Sequence, residues 1–195
     1  MFDSKFADLM LLYGVSPLHA GSGQGLGVVD NPIQRERHTN WPFVQASGVK
    51  GAMRDHFERA LWMQQHAAVR SEEVRKQVLK ISRKIFGKSL EDEPDVDQAG
   101  AVAVSDARLL FFPVRSSVAP FIWITCPAIL KRFQRDLALL GAAAPQHGED
   151  PLELNAYIIR DEKKVVSAGE ILLEDLVVQA KDGFSVEWNQ WLAAN

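Results

Sequence analysis

Between residues 47 and 126 the apolar residues change period, and no other feature constrains the fold as much. Val49, Met53, Phe57, Ala60 and Leu61 recur at the spacing that lines one face of an α-helix. Ser47, a favoured N-cap residue, sets the expected start of that helix. A second helix is expected from Ser71 to Phe86. Val74, Val78, Ile81 and Ile85 form its buried stripe, and Lys76, Lys80 and Lys84 line another face. Gly87 can close it in the left-handed conformation. From residue 100 the period becomes that of strands. Residues 100–114 (GAVAVSDARLLFFPV) and 118–126 (VAPFIWITC) are rich in Val, Ile, Phe and Trp and are separated by Arg-Ser-Ser, the pattern of an antiparallel hairpin.

The flanks extend the series. The apolar run at 8–16 (DLMLLYGVS) reads as a buried strand. Pro127 suits a first helical turn, and Leu130, Phe133, Leu137 and Leu140 make a helical apolar face after it. Strands are expected at 154–159 and 171–179, and a short amphipathic helix near Trp188 and Trp191. The acidic run at 91–97 (EDEPDVD) and the Ala/Pro/Gly-rich 141–152 read as loops. The order is strand, helix, strand, strand, helix, strand, with 71–98 inserted after the first helix. That order predicts an α+β chain with a ferredoxin-like, RNA-recognition-motif-like palm and an inserted helical finger region.

Composition narrows the class. Apolar residues make up 47% and charged residues 24% of the 195, as in globular proteins. The single Cys126 excludes a disulfide framework and an all-cysteine metal site, and fits a reducing compartment. No apolar run reaches the roughly 20 residues of a membrane span, and the N-terminus lacks a basic segment followed by an apolar core. The expected location is cytoplasmic, with no membrane partner. The net charge of −3 is unevenly spread. Residues 1–32 carry −2, residues 33–88 carry +7 (12 Lys and Arg against 5 Asp and Glu), and residues 89–195 carry −8. On charge alone, a local anion-binding surface and two solvated helices explain the basic block equally well.

Residues 18–46 are too broken by Gly and Pro for a helix and long for a structureless connection, which marks them as functional. The glycines at 21–27 (GSGQGLG) fail as a dinucleotide fingerprint: counted from Gly21 and Gly23, the third position is Leu26, and a Pro-broken loop follows. No G-x-x-x-x-G-K-[ST] occurs. Lys50 and Arg54 share one face of the first helix near its N-terminus, where cations oppose the helix dipole and a bound anion would reverse the cost. Ser47, Gly48 and free backbone N–H groups would complete a phosphate site; the competing reading sends both side chains into solvent, with Arg54 pairing Glu58. Asp30 is the sole acid between Asp8 and Glu36, near His19, Arg35, Arg37 and His38. It suits either a divalent-metal ligand or a turn before Asn-Pro. His56, His66 and His147 form no zinc spacing, and Cys126, Trp123, Phe111 and Phe112 read as packing.

The run HAGSGQGLGVVDNPIQRERHTNWPFVQASGVKGAMRD (19–55) resembles the RAMP proteins. Within them it is most similar to the fourth-subunit family of the Cmr module, the backbone subunits of type III-B CRISPR effectors. VSDARLLFFPVRS at 104–116 resembles the same family's central strand. The resemblance implies one RAMP domain over 1–195, with a palm at 1–66 and 99–180 and an inserted finger at about 67–98. It implies copies stacked in a helical filament on a CRISPR RNA, beside other type III-B subunits, with paired target RNA cut at regular intervals. Asp30 matches the family's cleavage residue and expected metal ligand, and His19 its loop histidine. Ser47, Lys50 and Arg54 match its contacts to guide phosphates, and Arg35, Arg37 and His38 are further expected contacts. The implied chemistry is Mg²⁺- or other divalent-metal-dependent scission, with the target 2′-hydroxyl as nucleophile. An RNA-binding filament subunit without cleavage is the alternative, and a domain with an unrelated anion ligand a third. The family's last palm strand and thumb hairpin normally lie past the point where this chain stops, so either the C-terminal part is truncated or the chain is an unusual short member.

Overall fold

The structure is a computed structural model that describes residues 6–23, 31–64, 72–88, 98–117, 119–143, 145, 155–158, 169–182, 188 and 190–191. It divides into two compact units, residues 12–108 and residues 1–11 with 109–195.

In the 12–108 unit the two expected helices form. Helix α1 spans Ala46–Gln64 and helix α2 spans Glu72–Phe86, with a two-residue strand β1 (Phe43–Val44) just before α1. Strand β2 (Ala107–Arg108) pairs antiparallel with β1, Phe43 opposite Arg108. Val49 is buried on α1, with Met53, Phe57, Ala60 and Leu61 half-buried along the same face, as their spacing predicts. On α2 the inward face is Val78, Ser82 and Phe86 rather than the apolar stripe alone. Ile81 is exposed, while Ser82 is buried because its hydroxyl donates to the Glu58 carboxylate of α1. A polar side chain with a partner can be buried at little cost. The Phe57 and Phe86 rings meet edge to face, 5.7 Å between centroids.

The end of α2 is closed as its sequence predicts, with Gly87 at φ 85. Its last carbonyls are satisfied by the returning chain: Gly87 N–H donates to Arg83, Ala101 N–H to Lys84 and Val102 N–H to Ile85. Backbone approaches backbone so closely that a Cβ on Gly100 would lie 2.5 Å from the Phe86 carbonyl carbon.

In the other unit, strand β3 (Phe112–Val114) and strand β4 (Ile122–Ile124) form the expected antiparallel hairpin, Pro113 opposite Trp123. Helix α3 (Pro127–Leu139) begins on its proline, and Leu130, Phe133 and Leu137 are buried against Trp188. Trp188 is 0% exposed and Trp191 stacks edge to face on Phe133 at 5.3 Å. Strand β5 (Asn155–Ile158) runs parallel to β7 (Leu176–Asp182), and β6 (Glu170–Leu173) pairs antiparallel with β7. The single strand expected at 171–179 is thus a hairpin, turned at Glu174 with φ 52. Nothing local announces that turn, since Glu-Asp lacks the glycine that usually supplies positive φ.

One expectation needs correction. The run 8–16 is not a strand: Met10, Leu11, Leu12, Tyr13 and Val15 are all exposed. An apolar run becomes a buried strand only where a neighbour supplies a ladder, and among the described residues none does. The described strands make three small sheets. The chain is α+β at the coarser level. The acidic run 91–97 and the helix start at Ser71 lie outside the described residues.

Candidate nucleic-acid interface

The loop before α1 is tied by backbone pairs. Gly21 bridges Ile33, Arg35 bridges Pro42, and Ser22 N–H donates to Pro32 at 2.8 Å. Gln34 links three segments at once. Its backbone N–H donates to Ala20, its Nε2 donates to the Gly21 carbonyl at 2.9 Å, and its Oε1 accepts from Gln45 N–H at 3.1 Å. Gln34 therefore ties the described part of the loop to the entry of α1. A tight turn at 36–40 completes the fold-back. Asn40 N–H donates to the Glu36 carbonyl, Thr39 hydroxyl donates to the Glu36 carboxylate at 2.6 Å, and Asn40 takes φ 61, which Asn tolerates.

His19 stands at the neck of this loop. Its Nε2 lies 3.0 Å from the carbonyl oxygen of Asn31. A carbonyl only accepts, so Nε2 is the protonated nitrogen, leaving Nδ1 of a neutral ring as an acceptor. Asn31 follows Asp30 directly. Asp30 itself, expected as the catalytic and metal-binding residue, lies outside the described residues, as do residues 24–29, His66 and His147. Gly21 faces the exposed Asn31 side chain: a Cβ on it would lie 2.3 Å from the Asn31 Oδ1, and that side chain would have to swing aside. Among the described residues no three His, Cys, Asp or Glu side chains are placed to hold a metal ion together. They do not by themselves fit the expected divalent ion.

The expected cationic contacts divide into two groups. Arg37 and His38 are exposed in the turn, His38 with its ring 79% exposed and 3.7 Å from the Glu36 carboxylate. Arg35 is exposed and donates to the Asn40 carbonyl at 2.9 Å. Lys50 is half-buried on α1 with no hydrogen-bond or ion-pair partner among the described residues. Arg54 is placed differently from the expectation that it faces a phosphate. Its guanidinium donates to the carbonyls of Gly87 and Lys88, sits 5.8 Å from the centre of the Phe86 ring, and approaches Glu58 at 3.9 Å. The end of α2 supplies the acceptors that this guanidinium reaches.

Ser47 is likewise not the N-cap. Helix α1 starts one residue earlier, and Gln45 accepts from Gly48 and Val49 N–H. The Asp106 carboxylate accepts from Ala46 N–H at 2.8 Å, capping the helix from 60 residues away. Asp106 therefore already places a negative charge at the helix end, where it is favourable. Ser47 is exposed beside it. The sequence held no local sign of this cap, because a cap supplied from a distant segment leaves no spacing to read.

With this geometry in place, comparison with known proteins is informative. The RAMP superfamily model matches residues 11–187. "CRISPR system Cmr endoribonuclease Cmr4" of Pyrococcus furiosus is 39% identical over 176 residues, 90% of this chain and 54% of that protein. The crystal structure of oligomeric Cmr4 from Pyrococcus furiosus superposes with a TM-score of 0.61 at 29% identity, over 87% of this chain and 53% of that one. Another Cmr4 crystal structure gives a TM-score of 0.62 at 28% identity, over 92% and 57%. The chain spans about half the length of the relatives it matches.

Proposed function

The chain belongs to the RAMP superfamily, and we propose on that premise that it is the RNA-gripping and RNA-cutting backbone subunit of a type III-B effector. It binds CRISPR RNA and cleaves the paired target at regular intervals. Its partners are the guide, the target RNA, other copies of itself in a filament and the other effector subunits. A Pyrococcus furiosus relative of similar sequence is named an endoribonuclease, and a related crystal structure is described as oligomeric. The ferredoxin-like palm at 1–66 and 99–180 and the finger at 67–98 belong to the same reading.

The observation that carries it is the His19–Asn31 bond. It pins an imidazole, with one nitrogen left to accept, to the residue after Asp30. The step is an in-line displacement: the target 2′-hydroxyl loses its proton, its oxygen bonds to the adjacent phosphorus, and the P–O5′ bond breaks. The leaving oxygen takes up a proton. In this reading His19 Nδ1 accepts the first proton, and Asp30, as the family resemblance implies, orients the reacting groups. Arg35, Arg37, His38, Ser47 and Lys50 hold the backbone by charge and hydrogen bonds that carry no base information, so guide pairing supplies specificity. In-line geometry supplies much of the rate. The described side chains form no metal site, so no step is assigned to a metal. Asp30 carries the expectation of a divalent ion, and a Mg²⁺ titration against a chelator tests it.

The deciding experiment reconstitutes the effector with guide, target and Mg²⁺ and compares the unaltered subunit with Asp30→Ala and His19→Ala. Loss of periodic cutting by about 10²-fold or more, with target binding retained, is expected for both. Equal cutting by Asp30→Ala would leave the chain a structural RNA-binding subunit.

A further inference from the structure

Helix α2 carries a row of cations that the loop and α1 do not account for. Val78, Ser82 and Phe86 fix its inward face at 2%, 1% and 7% exposure. At about 100° per residue, Lys76 and Lys80 stand roughly opposite Val78, and Lys84 follows one turn on. All three are exposed, and among the described residues none makes a hydrogen bond or ion pair. Like charges four residues apart destabilise a helix, so an unneutralised row needs a reason. The exposed face of α1 shows the ordinary solution: Arg59 pairs with Asp55 four residues away at 3.0 Å. Glu72, at the same distance from Lys76 in sequence, does not pair with it.

The helix that carries the row is anchored at its C-terminal end. Arg54 holds the carbonyls of Gly87 and Lys88, residues 101 and 102 hold those of Lys84 and Ile85, and Gly100 lies against Phe86 and Gly87. Successive lysines rise about 6 Å along the axis, a step that suits consecutive phosphates of one strand.

We propose that Lys76, Lys80 and Lys84 form a second phosphate-binding track for the RNA strand, separate from the loop and α1 contacts. This rests on the RNA-binding function proposed above. An evenly spaced polyanion fits an evenly spaced row better than an acidic protein surface, whose charges follow its own fold.

The test uses the whole chain and a fluorescein-labelled oligouridine, with anisotropy read across a NaCl titration. The triple variant Lys76→Gln, Lys80→Gln, Lys84→Gln should bind at least about tenfold more weakly at low salt. Its slope of log affinity against log salt should be shallower by about 2, from three phosphates at about 0.7 each. The matching Lys→Arg triple keeps the charge and should restore the slope. Circular dichroism confirms that each variant folds. An unchanged slope in the Gln triple, beside normal binding by the unaltered chain, overturns the track alone. No RNA binding by the unaltered chain overturns the proposed function and the track with it. Normal RNA binding with loss of self-association would assign the row to a protein contact and overturn the proposal.

Discussion

At the scale of single residues, the interface depends on side chains that sequence reading treated as ordinary. Gln34 joins Gly21 to the entry of α1 through its two amide atoms. Gln34→Glu keeps the acceptor for Gln45 N–H but sets a carboxylate against the Gly21 carbonyl. A loss of about 1–3 kcal/mol is expected in denaturant unfolding. Gly21→Ala pushes aside only the exposed Asn31 side chain, so it should cost no more than about 0.5 kcal/mol and leave the His19 bond to the Asn31 backbone carbonyl, and with it target cutting, intact. Asn31 and Gly21 lie within the 19–55 motif, yet their mutual approach was invisible there, because spacing gives faces of helices and strands but not the geometry of an irregular loop.

At the scale of elements, the α1–α2 pair was the most legible part and also the most instructive failure. Helical spacing placed Val49, Met53 and Phe57 on the face that is buried, and Gly87 at the end that closes in the left-handed conformation. The same spacing assigned Arg54 to an anion, but the structure turns it onto the last carbonyls of α2. Arg54→Ala should therefore lower stability by about 1–3 kcal/mol and leave the salt slope of RNA binding nearly unchanged. Lys50→Ala should do the reverse, leaving the melting midpoint alone and lowering the slope by about 0.7. Equal slopes for the two variants would return Arg54 to the RNA surface. Ile81 and Ser82 exchange their expected environments for a related reason. A hydrogen bond to Glu58 makes a buried serine cheaper than its hydropathy implies.

At the scale of the whole molecule, the clearest departure is the run from Met10 to Leu18, apolar in sequence but exposed, with Val15 at 91%. Replacing Leu12 and Leu18 by Ser should shift unfolding by no more than about 0.5 kcal/mol. A buried strand at the same positions would lose about 2–5 kcal/mol for each leucine. Urea unfolding distinguishes the two. The charge distribution belongs to the same scale: the surplus of +7 over 33–88 includes exposed Arg37 in the turn, Lys50 on α1 and the outward row on α2. Arg54 and Arg59 are held by partners within the protein. Opposite charge at close range is satisfied locally before a distant ligand is reached, so net charge overstates the number of cations open to RNA.

The sequence alone determined what depends on neighbours along the chain. It set the helices at 46–64, 72–86 and 127–139, the hairpin across 112–124, the glycine stop at 87, and the motif through which the chain resembles its family. These follow from backbone sterics and apolar period, which act over a few residues. Tertiary structure alone decided which polar groups meet: Asp106 on the start of α1, Arg54 on the end of α2, Glu58 on Ser82, and the lysines of α2 without a partner among the described residues. Hydrogen bonds and ion pairs form between groups that the fold brings within a few ångströms, whatever their separation in sequence, and a one-dimensional pattern holds no record of that distance.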